Sequence, residues 1–67
     1  MNQLTSKELT IIEEGLHAEM MLIEKIGAHA AQATDPQLKQ ACFETQRLHQ
    51  RHAEMLMQQL GGNVNFH

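Results

Sequence analysis

The chain has no tryptophan and no tyrosine, and its two phenylalanines, Phe43 and Phe66, stand far apart. Clusters of β-branched and aromatic residues are sparse as well, which argues against a sheet. Cysteine is reduced to Cys42, so no internal disulfide forms within the chain; this fits a reducing compartment. The five Lys and Arg residues are scattered through a chain of net charge -3, which argues against nucleic acid or an acidic membrane surface as partner. No apolar run is long enough to span a membrane, and Met1–Lys7 lacks the pattern of a signal peptide. A cytoplasmic location is the expectation. A Gly-rich phosphate loop and a Ser/His/Asp set are also missing, so no catalytic machinery of those kinds is expected.

What remains is a helix-forming composition. The 67 residues suffice for one small domain, 1–67, and 42% of them are hydrophobic, with Ala, Leu, Gln, Glu and Met prominent. Thr5-Ser6-Lys7-Glu8 reads as a capping box, with Thr5 as N-cap and Glu8 reaching back to its amide. A first helix is predicted from about Ser6 to Ala33. Leu9, Ile12, Leu16, Glu19, Ile23, Ile26 and Ala30 repeat at alternating spacings of three and four, the seam of a helix packed lengthwise. At ~100° per residue Ile12, Ile23, Ile26 and Ala30 lie within ~40° of Glu19 around the axis, so a carboxylate stands near the middle of an apolar stripe.

Ala33-Thr34-Asp35-Pro36 is the break. Asp35 suits an N-cap, Pro36 suits the first helical position, and the residue before a proline disfavours helix. A second helix is predicted from about Pro36 to Leu60. Leu38, Cys42, Thr45, His49, His52, Ala53, Leu56 and Leu60 are expected to share one face, with His49 near its middle. Gly61-Gly62 is the stop signal, and Asn63 to His67 forms a polar tail.

A short link joins antiparallel neighbours. Folding the chain at Thr34 brings Glu19 level with His49 and Leu16 level with His52, a polar layer within apolar ones. Two helices cannot enclose a core on their own. A chain of this size without disulfide or other staple is expected to pair with a second copy, as a homodimer or higher homo-oligomer built on a four-helix bundle.

Glu19, His49 and His52 are the candidate metal ligands. His49-x-x-His52 places two imidazoles on one helical face one turn apart, and Glu19 adds a carboxylate oxygen. This donor set suits a transition metal ion, with iron or zinc first and manganese or copper as alternatives. The competing interpretation is a buried structural cluster in which Glu19 pairs with His49, Thr45 or Gln46 completes the hydrogen bonds, and the layer sets pairing. Glu14-Gly15-Leu16-His17 is a literal Glu-x-x-His, but Glu14 and His17 point away from the stripe. Cys42 reads as a small buried hydrophobe, His29 as a helix-end residue, and Met20, Met21, Met55 and Met57 as gap fillers.

A hairpin with a core Glu on one helix and a His-bearing motif on the next resembles the ferritin-like superfamily. More narrowly, the stretch from His17 to Leu60, with its Asp-Pro-Gln-Leu-Lys turn and His-Gln-Arg-His segment, resembles the short ferritin-like proteins of spore coat F type. Its half-ferritin length is also similar to that of encapsulated ferritins, which dimerise to complete the bundle. The resemblance implies an all-α fold, a homodimer, an iron-related site and a spore-coat association. In one respect the chain departs from the pattern: ferritin-like di-iron sites use Glu from one helix and Glu-x-x-His from the next. Glu19 matches the first, whereas the second helix offers Gln46-x-x-His49 or His49-x-x-His52. The missing carboxylate weakens a reading as a metal-dependent oxidoreductase of ferroxidase type and favours a simpler metal site, or a non-catalytic descendant of one.

Overall fold

The computed structural model describes residues 4–61, and these form two α-helices and no strand. Helix α1 spans Ser6–Gln32 and helix α2 spans Pro36–Gly61. They pack against each other as a helical hairpin.

Local chemistry accounts for each boundary that the sequence marks. At the start of α1 the Thr5 hydroxyl accepts from the Glu8 backbone N–H at 3.0 Å, and Glu8 Oε1 accepts from the Thr5 N–H at 2.9 Å. The capping box thus satisfies two otherwise orphaned donors. Hydrogen bonding to the Thr5 backbone N–H first, and to the Thr5 side chain second, holds the exposed Glu8 carboxyl below its ordinary pKa. At the other end Ala33 turns to extended backbone while its N–H still donates to His29 O at 3.0 Å and Ala30 O at 3.3 Å. Asp35 then caps α2: its carbonyl accepts from the Lys39 N–H at 2.9 Å and its Oδ1 from the Gln37 N–H at 3.2 Å. Pro36 occupies the first helical position, where a missing N–H costs nothing. Helix α1 stops one residue short of the expected Ala33, and α2 continues through Gly61. The rest of the Gly61-Gly62 stop, the tail 63–67 and the first three residues lie outside the described part of the chain.

The interface between the helices mixes small residues with larger aliphatic and polar ones. Ile12, Ala30 and Ala53 are the buried apolar residues of the described chain. Around them Leu16, Glu19, Ile23 and Ile26 of α1 face Cys42, Gln46, His49 and Leu56 of α2, all half-buried. Two glycines of α1 make room for side chains of α2. A Cβ on Gly15 would stand 3.3 Å from Leu56 Cδ1, and one on Gly27 only 2.8 Å from Gln46 Nε2. The room left at Gly27 admits the Gln46 amide, which donates to the Ile23 carbonyl at 3.0 Å.

This contact corrects the expected face of α2. Gln46, not Thr45, turns toward α1. Thr45 is exposed and its hydroxyl donates to the Ala41 carbonyl one turn back at 2.9 Å. With the helix rotated in this sense, Leu38 is 54% exposed, and Lys39 and Met57 are half-buried. The physical reason is steric. Gly27, Ala30 and Ala53 leave space that long side chains on a symmetric stripe would have filled.

Candidate metal centre

Glu19 has thirteen residues of α1 on either side. His49 has thirteen residues of α2 before it and twelve after it. The hairpin therefore brings the carboxylate and the imidazoles together at mid-height. His49 Nδ1 lies 2.8 Å from Glu19 Oε1 with hydrogen-bond geometry, and His52 Nδ1 lies 3.2 Å from Glu19 Oε2. Both carboxylate oxygens are thus engaged, each by a different imidazole. The two rings stand edge to face, their centroids 5.7 Å apart.

The three groups differ in their access to solvent. The Glu19 side chain is 14% exposed, that of His49 22% and that of His52 46%. Glu19 lies between the helices, and His52 stands at the edge. One ligand atom from each residue falls within 4.8 Å of the others. Among the described residues, no other set of three His, Cys, Asp or Glu side chains comes together in this way.

The remaining sequence candidates fall elsewhere. Glu14, His17, His29 and Glu54 are exposed. Glu44 is exposed and takes a hydrogen bond from Gln40 at 3.3 Å, so it does not replace the carboxylate missing from a di-iron pattern. Cys42 is free and half-buried. Neither Thr45 nor Gln46 completes the Glu19–His49 bond, because each is committed to a backbone carbonyl. Gln46 was the residue whose role sequence reasoning missed. The signal that points to it is the glycine at position 27, which leaves room opposite for one long polar side chain.

Chemically, the cluster offers two imidazole nitrogens and one carboxylate. This is the donor composition of non-haem iron(II) facial triads and of His₂Glu zinc sites, both of which leave coordination positions open. As it stands, Glu19 also acts as a hydrogen-bond acceptor that satisfies His49. Among the described residues no buried side-chain nitrogen or oxygen is left without a partner.

No family model matches the chain, and no curated protein or solved structure matches it either.

Proposed function

We propose that this chain binds a transition metal ion at Glu19, His49 and His52, in a ferritin-like hairpin that pairs with a second copy to form a four-helix bundle. The observation that carries the reading is the convergence of a carboxylate and two imidazoles within 4.8 Å of one another, drawn from both helices and placed at mid-length. Iron or zinc suits the donor set best, and manganese or copper is compatible with it. The resemblance to spore coat F-type proteins implies an iron-related or spore-coat associated role, and that to encapsulated ferritins implies the pairing. The proposal stops at binding and does not extend to ferroxidase turnover, for which a second carboxylate is needed beside the first.

A second reading has its own observation. Glu19 is already satisfied by His49 and closely approached by His52, as a polar layer that only sets pairing would be. In that case the chain is a structural helical module.

Elemental analysis of protein purified without a metal-affinity tag, paired with mass from light scattering, separates the two. The metal reading requires about half or one first-row ion per chain, the range expected for a site shared by two copies or one in each. A dimer that contains no metal and takes up none when offered iron(II), zinc or manganese leaves the polar layer as a pairing device.

A further inference from the structure

The two imidazoles of the cluster begin a row that continues beyond it. His49, His52 and Met55 follow one another at three-residue spacing, each ~60° further round α2 and ~4.5 Å further along it. The row climbs out of the contact between the helices. His49 is half-buried, the His52 side chain is 46% exposed, and Met55 is 61% exposed. Residues three apart on a helix are neighbours, with Cβ atoms about 5–6 Å apart. The Met55 thioether therefore stands within reach of the open flank of His52.

Packing within the hairpin does not account for Met55. It was expected to fill a gap between helices, but a residue so exposed fills none in the hairpin. It is also the one sulfur placed beside His52 among the described residues. Cys42 stands two turns before His49 on the inner face of α2. Met21 lies ~160° round α1 from Glu19, on its outer face. Met20 and Met57 turn ~100° and ~80° from Glu19 and His49 in the opposite sense to His52, toward the other side of the hairpin. On the side of His52, its neighbours Ala18, Leu22 and Leu48 carry no donor atom.

Building on the metal reading above, we infer that Met55 is a further ligand of the ion and that the site takes copper(I). Three donors leave an ion open positions, and the thioether fills one of them. A thioether is a soft ligand that selects copper(I), and imidazole suits copper as well. Zinc sites draw on thiolate, imidazole and carboxylate instead. The charge of the donors points the same way. Imidazoles bind a metal in their neutral form and a thioether is uncharged, so Glu19 supplies the only negative charge of the set. A copper(I) ion makes that set neutral. A divalent ion leaves it with one positive charge, on a side of the hairpin where α1 already exposes Lys7 and Lys25. The carboxylate absent from the di-iron pattern is not needed to balance a monovalent ion.

The test measures two affinities on each protein: copper(I), by anaerobic competition with a chromophoric copper(I) chelator, and zinc, by the same method with a zinc indicator. All proteins carry Cys42→Ser, so that a thiol does not mask the thioether. Met55→Leu keeps the apolar volume and removes the sulfur. Met21→Leu is the control on the outer face of α1, and His52→Asn locates the ion. The expected result is that Met55→Leu lowers copper(I) affinity at least about tenfold and leaves zinc affinity unchanged. Met21→Leu should change neither, and His52→Asn should lower both. Copper-edge X-ray absorption should show a sulfur neighbour in the parent protein and none in Met55→Leu. Unchanged copper(I) affinity in Met55→Leu, or a sulfur neighbour that persists there, overturns Met55 as a ligand. Equal losses of copper(I) and zinc in Met55→Leu make it a packing residue and overturn the selectivity. Copper(I) affinity that survives His52→Asn places copper elsewhere and also overturns the proposal. A parent protein that binds zinc but not copper(I) overturns this inference alone, whereas one that binds neither ion brings down the metal reading with it.

Discussion

Gly27 shows how one residue makes room for a contact between the helices. Glycine within a helix costs about 0.5–1 kcal/mol relative to alanine, so it needs a reason to stand there. The reason is the Gln46 amide, which occupies the space a Cβ would take and donates to Ile23 O at 3.0 Å. Gly27→Ala gains helix propensity but displaces the tip of Gln46 and loses a hydrogen bond of about 1 kcal/mol. The two effects nearly cancel, and the single variant should unfold within about 0.5 kcal/mol of wild type. In a Gln46→Ala background the obstacle is gone, and Gly27→Ala should stabilise by about 0.5–1 kcal/mol. Urea denaturation of the four proteins measures the coupling, and additive effects would mean that the two residues do not meet. The same pair marks the limit of sequence reasoning at this scale. Periodicity identified Glu19, His49 and His52 because each stood out against an apolar stripe. It assigned Thr45 to the interface because a stripe says nothing about which neighbour has left a gap. Glu19 itself carries a sharper test. Glu19→Leu should reduce bound metal to background while leaving the helical signal in circular dichroism, because His49 is half-buried and can take water in place of the lost carboxylate. Unaltered metal content in this variant would remove Glu19 from the ligand set.

At the scale of the helices, the boundaries were legible because capping is local chemistry. Thr5 and Glu8 exchange hydrogen bonds three residues apart, and Asp35-Pro36 starts the second helix by the means expected of those residues. Both interactions depend on the chain within one turn, so no tertiary information was needed. Thr5→Ala should lower stability by about 1 kcal/mol, read as a shift in the urea midpoint at constant slope. The partner bond has a pH signature. Hydrogen bonds from Thr5 hold the Glu8 carboxyl below its ordinary value of 4.5. A folded-state value below the unfolded one adds stability that is present above the unfolded pKa and lost as pH falls through the folded one. The advantage of wild type over Glu8→Gln should therefore be constant near neutral pH, narrow below about pH 4.5 and vanish in stronger acid. A gap that widens on acidification would contradict the assignment. What the helices did not reveal was their relative rotation. A heptad stripe of width ~100° fits a partner over a range of angles, and small residues at Gly27, Ala30 and Ala53 chose among them.

The whole molecule raises the question of what holds it together. Among the described residues, ten large apolar side chains are exposed and only Ile12, Ala30 and Ala53 are buried as core. A two-helix unit of this kind has too little interior to be stable by its own packing, and no helix among the described residues is long and apolar enough to cross a membrane. On the proposed reading, stability comes from association, from a bound ion, or from both, and each makes the melting temperature depend on concentration. The ion can be isolated from association by holding protein concentration fixed. A ligand present at about a hundred times its dissociation constant stabilises the state that binds it by about 2.7 kcal/mol. In a chain of this size each kilocalorie moves the melting temperature by roughly 4–8 °C. Saturating zinc or iron(II) should therefore raise it by about 10 °C or more over protein stripped with chelator. Glu19→Leu, treated identically, should show no such rise. If the Glu19–His49–His52 layer serves pairing alone, the stripped and metal-treated proteins melt together, and only dilution lowers the transition. Equal shifts in wild type and Glu19→Leu would place the ion elsewhere on the chain. The paired melts thus separate a metal centre from a polar pairing layer without requiring knowledge of the ion's identity in advance.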